Sequence, residues 1–304
     1  MKNLFFTLTF NCNAFCEKCM TRKHINRNLK ASNELIDYFV NALKKHNYKG
    51  IVSLGSGESL TSPQLISFAK KILSINDTVK LRILTNGVLF DSDKMDPLLK
   101  DKRIIWGVTL DGFYQDDLAN LQYGVDIELV KANVEKWCKS NGPNEIYVNY
   151  TLNSQNIKNV YTFIEWALET GIKDIYITEL KVYKPFYEKL NWAALDYTDV
   201  YTKGIIERIK KDERVSSSFK HKDKIRSKCW TKDANMPIID IDGTFTFCSG
   251  REDFVVGNIL DSDAEEKWKL FCSKISKCNG WCAECQDRHD KNKLYPFPKH
   301  KYEE

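Results

Sequence analysis

The sequence predicts an α/β fold with a parallel sheet, followed by a small cysteine-rich domain. Three observations over its 304 residues indicate this arrangement. Short β-rich runs alternate with longer amphipathic segments from Leu4 to about Leu180, the alternation is lost after about residue 190, and a second group of cysteines begins at Cys229. Alternating strands and helices form parallel sheets, because each helix returns the chain to the start of the next strand.

The elements follow from local patterns. The strand candidates are 4–10, 50–55, 79–85, 103–110, 145–152 and 174–180, and the helical candidates are 33–46, 63–75, 92–100, 126–140 and 157–170. Apolar residues of the first helix recur at the helical period, namely Leu35, Phe39, Val40 and Leu43. Ser62 and Pro63 predict the start of the second helix as its cap and first residue. Gly171 predicts the end of the helix at 157–170.

Six such units fit either a partial (β/α)6 barrel of the TIM type or an open doubly wound sheet. In both architectures the reactive groups lie at the carboxyl ends of the strands. Cys12, Gly57 with Glu58, Asn86 and Asp111 each follow one of the first four strands. We therefore expect a site at that edge of the sheet.

Composition and charge exclude several classes of protein. No apolar run approaches the roughly 20 residues of a membrane span, and the N-terminal segment lacks the small-residue cleavage site of a secretion signal. We therefore expect a cytoplasmic protein with no membrane partner. The net charge of +5 is diffuse and tolerates an anionic substrate. The sequence has no concentrated Arg/Lys stripe with interleaved aromatic residues, which argues against a nucleic-acid partner.

Nine of the ten cysteines are clustered towards the two ends of the chain, and only Cys138 lies between the two groups. Structural disulfides are rare in a reducing compartment, so clustered thiols indicate metal. Cys12, Cys16 and Cys19 form a C-x3-C-x2-C array. Three thiolates complete a structural zinc site only if a distant residue such as His24 supplies the fourth ligand. A [4Fe–4S] cluster held by three cysteines instead leaves one iron open.

This array, in the loop after the first strand, resembles the signature of the radical SAM family. The resemblance implies that the open iron of a [4Fe–4S] cluster binds S-adenosylmethionine. It also implies reductive cleavage of that cofactor to methionine and a 5′-deoxyadenosyl radical, with an electron donor such as flavodoxin or ferredoxin.

Later segments resemble those of the family that contact the cofactor. The run LGSGES places Ser56, Gly57 and Glu58 where the family carries a Gly-Gly-Glu motif for the methionine amino group. The runs LTNG and VTLDG are similar to segments that line the ribose and methionine, although Asn-Gly and Asp-Gly are also ordinary turn signals. The further cofactor residues implied are Thr85, Asn86, Thr109, Asp111 and Asn149.

One position departs from the family pattern. The residue before the third cysteine is usually aromatic and packs against adenine, whereas this chain has Lys18. Either the aliphatic stem of Lys18 covers the base, or Phe15 takes that place.

The C-terminal cysteines resemble the auxiliary-cluster region of the SPASM/twitch subgroup. The implied ligands of a second [4Fe–4S] cluster are Cys229, Cys248, Cys282 and Cys285. A predicted hairpin with an Asp-Gly turn, residues 236–248, precedes them. Cys272 and Cys278 echo the two-cluster pattern, and a zinc ribbon is also compatible with the spacing. The expected domains are a partial barrel at 1–185, a helical connector at 186–228, the auxiliary-cluster domain at 229–290 and a peripheral tail at 291–304.

Together these features predict a two-electron oxidation, because an auxiliary cluster can accept the second electron. Glu179 and Lys181 end strand six and are the catalytic candidates, or else form a solvated pair. A small hydroxylated substrate (sugar, cyclitol or nucleotide) is favoured over a ribosomally made peptide, since only eleven residues precede Cys12 and no leader-binding domain is expected there. A zinc-stabilised nucleic-acid-binding protein is the alternative from a different class.

Overall fold

The computed structural model describes residues 3–19, 27–90, 98, 101–139, 145–180, 190–221, 237–246, 255–267 and 269–270. Contacts within the chain divide it into two compact units. The first unit comprises Met1–Cys12, Lys23–Arg82 and Ile225–Glu304, and the second comprises Asn13–Arg22 and Ile83–Lys224. Both units therefore contain sequence from the cysteine array.

The helices and strands of the described residues alternate along most of the chain. The α-helices are α1 (Asn33–Lys45), α2 (Leu65–Leu73), α3 (Ile127–Lys139), α4 (Val160–Glu169) and α5 (Val200–Lys211). The strands are β1 (Asn3–Phe6), β2 (Phe15–Cys16), β3 (Ile51–Leu54), β4 (Lys80–Thr85), β5 (Ile104–Thr109), β6 (Gln122–Tyr123), β7 (Glu145–Leu152), β8 (Asp174–Glu179), β9 (Ser216–Ser217), β10 (Ile238–Ile239), β11 (Thr244–Thr246) and β12 (Gly257–Asn258). None of the helices in these ranges is both long and apolar enough to cross a membrane.

The structure confirms the α/β class and the mostly parallel pairing of the strands. Five of the six strand candidates match an observed strand to within one residue at each end. The first candidate, 4–10, is too long, because β1 ends at Phe6 and the chain then leaves the ladder, with Thr9 forming only an isolated bridge to Lys30. The helix candidate 92–100 lies outside the described residues apart from Leu98.

The first unit contains strands in the order β12-β11-β10-β1-β3. β1 pairs in parallel with β10 and β3, while β10, β11 and β12 pair antiparallel. Gly243, with a φ of +83°, turns the chain between β10 and β11 and confirms the predicted hairpin. In the core, the ring of Phe6 stacks on Phe39 of α1 at 4.7 Å and on Phe68 of α2 at 5.1 Å.

The two helices of this unit begin differently. α1 buries the predicted apolar face, and the Ser32 hydroxyl caps it by accepting a hydrogen bond from the Leu35 N–H at 3.0 Å. The predicted start of α2 is wrong: that helix begins at Leu65, after Gln64. Ser62 ends a preceding 3₁₀ turn, and its hydroxyl accepts from the Gln64 N–H at 3.3 Å, so the α-helix begins only after this turn.

The second unit pairs β5, β7, β8 and β9 in parallel. Its core includes a cluster of Phe90, Trp106 and Trp137, whose ring centroids lie 4.5 to 5.3 Å apart. Gly171 follows α4 with a φ of +91°, which confirms the predicted helix end. Both α5 and β9 fall within the segment 186–228.

Candidate active site

In the first unit, Gly57 brings the segment after β3 against the segment after β1. Its φ of +64° lies in the left-handed region that favours glycine. An added Cβ would lie 2.4 Å from the Thr9 carbonyl oxygen and 2.8 Å from that of Asn11. The Glu58 N–H donates to the same Asn11 oxygen at 2.7 Å. The residue immediately before Cys12 is therefore fixed by the Gly57–Glu58 turn.

Glu58 is buried, with 1% of its surface exposed. Its Oε1 accepts from the Leu60 N–H at 3.1 Å and caps the 3₁₀ turn that follows. Ser56 accepts a hydrogen bond from the Thr7 hydroxyl at 3.3 Å. These predicted cofactor residues thus lie just after the carboxyl end of β3, as the sequence indicates.

In the second unit, Cys16 and Cys19 lie on a turn anchored to a two-stranded ladder. β2 pairs antiparallel with β6, and the Glu17 N–H donates to the Leu121 carbonyl oxygen at 2.8 Å. The Cys19 N–H closes the turn on the Cys16 carbonyl oxygen at 3.0 Å. Both thiols are partly exposed, as is that of Cys12 in the first unit.

The chemistry of this donor set suits an iron–sulfur cluster, because thiolates are its usual protein ligands. Among the described residues, no group of three or more His, Cys, Asp or Glu side chains could hold a single metal ion. In a mononuclear site the thiolates gather about 4 Å apart around one ion. In a [4Fe–4S] cluster each thiolate binds a different iron.

Lys18, within the cysteine segment, forms an ion pair with Asp111. The two side chains are 17% and 4% exposed. The other carboxylate oxygen of Asp111 accepts from the Thr151 N–H at 2.8 Å, and its carbonyl oxygen accepts from the Asn156 side chain at 2.7 Å. This network ties the cysteine segment to the carboxyl ends of β5 and β7.

Thr85 and Asn86 form a hydrogen-bonded turn at the end of β4. The Thr85 hydroxyl oxygen accepts from the Gly87 N–H at 3.0 Å. The Asn86 side-chain amide donates to Asn13 Oδ1 at 2.9 Å, and Asn13 follows the first cysteine. Asn86 therefore also holds the start of the cysteine segment that belongs to this unit.

Thr109 and Asn149 pair in register across β5 and β7. The Asn149 Oδ1 accepts from the Thr178 hydroxyl of β8 at 3.4 Å. Both residues lie in the last half of their strands, towards the carboxyl ends, where the sequence predicts the cofactor contacts.

Phe15 lies opposite Tyr123 in the β2–β6 ladder. Directly opposed residues of an antiparallel pair share one face, and these two rings are 46% and 50% exposed. They form an apolar surface beside Cys16. The ammonium group of Lys18, the other residue predicted near adenine, is engaged with Asp111.

Glu179 ends β8 and accepts a hydrogen bond from the Tyr197 hydroxyl. Its backbone N–H donates to the Ser218 hydroxyl at 3.2 Å. Burial, and next the hydrogen bond to Glu179, raise the pKa of Tyr197 well above its ordinary value. Tyr197 therefore remains a protonated donor to the carboxylate. Lys181 lies outside the described residues.

A cavity of about 540 Å³ in the second unit is lined by Glu17, Asn120, Gln155, Leu190 and Trp192. None of these residues is among those predicted from the sequence. They come from four segments of the chain, with Leu190 and Trp192 on the same one. Of the five, only Glu17 has a sequence signal, its place between two cysteines of the array.

Of the remaining cysteines, only Cys138 lies within the described residues. Cys138 lies in α3, where burial and then the nearby Glu135 carboxylate raise the pKa of its thiol, as expected of a structural thiol. The predicted ligands of the second cluster lie outside the described residues, as do His24, Cys272 and Cys278. Those ligands are Cys229, Cys248, Cys282 and Cys285.

Solved structures of similar fold include SuiB of Streptococcus suis, with a TM-score of 0.69, 13% identity, and coverage of 94% of this chain and 70% of that one. For SuiB bound to the precursor peptide SuiA, the TM-score is 0.65 and the identity 13%, with coverage of 93% of this chain and 68% of that one. For anSMEcpe with AdoMet and the Cp18Cys peptide, the TM-score is 0.66 and the identity 17%, with coverage of 99% of this chain and 93% of that one. At these identities the likeness concerns the fold.

No curated protein sequence matches this chain. A family model described as the radical SAM superfamily matches residues 6–175, more than half of the chain, and includes the three-cysteine array. The protein is therefore a member of the radical SAM superfamily.

Proposed function

We propose that the protein is a radical SAM oxidoreductase that oxidises a small hydroxylated substrate, a sugar, cyclitol or nucleotide. Membership of the superfamily implies a [4Fe–4S] cluster and S-adenosylmethionine, and we assign the cluster to Cys12, Cys16 and Cys19. When bound, these cofactors supply a 5′-deoxyadenosyl radical that removes one hydrogen atom from the substrate. Reduced flavodoxin or ferredoxin is the proposed electron donor.

The chain's own residues support S-adenosylmethionine binding beside the cysteines. The proposed contacts are Ser56, Gly57, Glu58, Thr85, Asn86, Thr109, Asp111 and Asn149. In this proposal Phe15, with Tyr123 opposite it, offers the apolar surface for adenine. Lys18 acts through Asp111 to hold the cysteine segment in place.

The observation that carries the oxidoreductase assignment is the hydrogen bond from Tyr197 to Glu179. Oxidation of an alcohol to a carbonyl releases a proton in addition to the abstracted hydrogen atom, so a base is needed. Glu179 lies at the carboxyl end of β8, where α/β folds of this kind bind substrates. In the proposal Glu179 accepts the hydroxyl proton, Tyr197 fixes the orientation of the carboxylate, and Lys181 is the second catalytic candidate.

In the proposal Cys229, Cys248, Cys282 and Cys285 would hold an auxiliary [4Fe–4S] cluster, which would supply an acceptor for the second electron. This part of the proposal rests on the sequence resemblance to the SPASM/twitch subgroup. The domain organisation in this proposal is a partial (β/α)6 barrel at 1–185, a connector at 186–228, a twitch/SPASM-like domain at 229–290 and a tail at 291–304.

A radical SAM enzyme that modifies a ribosomally made peptide is the second candidate. It is favoured by the peptides bound in two similar structures, SuiA in SuiB and Cp18Cys in anSMEcpe. Cross-linking, epimerisation or oxidation of a peptide would use the same cysteine segment.

The cluster assignments are tested by iron and sulfide analysis of anaerobically reconstituted protein, with EPR spectra. We expect about eight irons per chain, falling to about four when Cys12, Cys16 and Cys19 are all replaced by alanine. Cys248→Ala should retain S-adenosylmethionine cleavage but lose product, because cleavage needs only the first cluster. About four irons falling to none, with zinc bound, would remove the auxiliary cluster and the oxidation argument with it.

Substrate class is tested with the same protein, dithionite and a panel of myo-inositol, D-glucose, adenosine and a blocked tetrapeptide of Gly and Ser. A hydroxylated small molecule should stimulate 5′-deoxyadenosine formation and yield a new carbonyl, which hydrazine reagents trap above the level given by the unreacted substrate. Glu179→Gln should lower carbonyl formation at least about 100-fold. Stimulation by the peptide alone would contradict the small-molecule proposal and favour the second candidate.

A further inference from the structure

The cavity in the second unit is bounded by a rigid turn that places Gln155. The side chain of Asn153 accepts from the Gln155 N–H at 2.9 Å, and the Asn153 N–H donates to Asn156 Oδ1 at 2.8 Å. Asn156 in turn donates to the Asp111 carbonyl oxygen, and its own carbonyl oxygen accepts from the Tyr150 hydroxyl at 2.8 Å. The position of Gln155 is therefore set before any ligand binds.

The same turn holds the neighbouring wall of the cavity. The Ser154 N–H donates to the Ala193 carbonyl oxygen at 3.0 Å, and its hydroxyl donates to the Trp192 carbonyl oxygen at 2.9 Å. The Trp192 side chain is 46% exposed. The segments that carry Gln155 and Trp192 are thus joined by hydrogen bonds, and both residues line the cavity.

Two residues of the cavity wall are linked to segments that carry the proposed reactive groups. Leu121, Leu180, Leu190 and Ala193 form one buried apolar cluster. Leu180 directly follows Glu179, and Leu121 accepts the hydrogen bond from Glu17, which directly follows Cys16. Leu190 and Glu17 both line the cavity, so its wall is linked through this cluster to the end of β8 and, at Glu17, to the cysteine segment.

One polar atom of the cavity wall has no hydrogen-bond partner in the part of the chain that the structure describes. Gln155 Oε1 is buried and makes no hydrogen bond to any described residue. A buried acceptor without a partner costs about 1–3 kcal/mol. The two ends of a carboxamide exchange by rotation, so either its acceptor or its donor can be turned to a ligand that supplies the missing bond.

The remaining chemistry of the wall selects the ligand. Glu17, Asn120 and Gln155 offer carboxylate and carboxamide groups that suit hydroxyls, which both donate and accept. Leu190 and Trp192 offer apolar surface for the C–H face of a ring. Glu17 is acidic and none of the five described lining residues is cationic, so the described part of the wall suits a neutral ligand better than a phosphorylated one. The volume falls within the ~300–1,000 Å³ typical of small-molecule sites.

We infer that this cavity binds a neutral polyhydroxylated ring, a monosaccharide or cyclitol, with a hydroxyl bonded to Gln155 and the ring packed on Trp192. The inference rests on the proposed function, because it takes this ligand to be the substrate. It narrows that proposal to neutral sugars and cyclitols, in preference to nucleotides and sugar phosphates.

Binding is measured by saturation-transfer difference NMR on reconstituted protein with S-adenosylmethionine and no reductant, so that no turnover occurs. The probes are myo-inositol, D-glucose, D-glucose 6-phosphate and the blocked tetrapeptide. Gln155→Leu should weaken binding of the best neutral polyol about fivefold, the value of one hydrogen bond, and Trp192→Ala about tenfold. Gln64→Leu is the matched control, because Gln64 Oε1 is also buried without a described partner but lies outside the cavity.

Each result decides the inference. Binding of a neutral polyol that weakens in both cavity variants and not in Gln64→Leu supports it. Binding of only the peptide or only the phosphate, or equal binding by Gln155→Leu and wild type, overturns it. If no probe binds while the reduced enzyme still cleaves S-adenosylmethionine and contains two clusters, the inference fails and the proposed function stands. An enzyme that holds no iron and does not cleave S-adenosylmethionine would instead remove the proposed function.

Discussion

Lys18 carries a positive charge into the segment between Cys16 and Cys19, and the buried carboxylate of Asp111 neutralises it. An ion pair in this position is costly to desolvate, so its net contribution to stability is small compared with the cost of breaking it. Because Asp111 also accepts from the Thr151 N–H, the carboxylate cannot turn to solvent without losing a second bond. The pair therefore acts as a fixed link between the cysteine segment and the strand ends.

Lys18→Met removes the cation and leaves the Asp111 charge uncompensated. We expect the free energy of unfolding to fall by about 3 kcal/mol, the usual cost of breaking a buried pair. The double variant Lys18→Met/Asp111→Asn removes both charges and keeps an acceptor for Thr151, so it should recover most of that loss. Urea unfolding of wild type, both single variants and the double variant, at equal iron content, gives the coupling energy. A double variant as unstable as Lys18→Met would show that the charge of Asp111 is not the cause.

Gly57→Ala tests the contact between the turn after β3 and the segment before Cys12. A methyl group there would lie 2.4 Å from the Thr9 carbonyl oxygen, at a φ that side chains rarely adopt. We expect a loss of more than about 2 kcal/mol in stability and a raised KM for S-adenosylmethionine, since this turn also carries Glu58. Wild-type stability and KM would show that the backbone has room to move.

At the scale of elements, the strands and helices that the sequence predicts are those with a sustained period. β4, β5, β7 and β8 alternate or bury long apolar runs, and their bounds follow within one residue. The two-residue strands β2, β6 and β9 have no period to detect, although β2 carries Cys16. They exist only because distant backbone groups pair with them.

The residues of the candidate site also differ in how well the sequence predicts them. The positions of Glu58 in the first unit and Asn86 in the second are predictable, because each residue follows closely on a strand that the sequence pattern itself indicates. Gln155 and Trp192 are not, because hydrogen bonds from Ser154 to a segment some 38 residues further along the chain place them together. The Asn153–Asn156 turn likewise has a sequence like many surface loops, and only its bonds to Asp111 and Tyr150 reveal its role.

The helix α5 contains an interior glycine whose replacement should stabilise the protein. Gly204 is exposed, has no positive φ, and an added Cβ meets nothing within 4 Å. Gly204→Ala should therefore raise the free energy of unfolding by about 0.5–1 kcal/mol. Urea unfolding of both variants compares the two glycines. Gly204→Ala should raise the free energy of unfolding, whereas Gly57→Ala, at a positive φ, should lower it. A destabilising result would mean that α5 needs the flexibility of glycine at this position.

At the scale of the whole molecule, buried tyrosines couple folding to pH in both units. Burial raises the pKa of Tyr48, which donates to the Ile51 carbonyl oxygen at 3.1 Å in the first unit. In the second unit, burial raises the pKa of Tyr150, with the Asp117 and Asp111 charges adding to it, and burial and Glu179 raise that of Tyr197. In each case the folded protein holds the phenolic proton more tightly than the unfolded chain does.

This difference predicts alkaline unfolding with a defined sign. The unfolded chain releases these protons near pH 10 while the folded protein keeps them, so the stability they contribute is complete below pH 10 and is lost as pH rises further. Three such groups give a slope of about 4 kcal/mol per pH unit, or about 1.4 each. Urea unfolding at pH 9, 10 and 11 measures the slope, and Tyr48→Phe should reduce it by one group while costing about 1 kcal/mol at pH 7 through its lost hydrogen bond. An unchanged slope above pH 10 in Tyr48→Phe would mean that this phenol ionises in the folded state as it does in the unfolded chain, and that another group causes the alkaline loss.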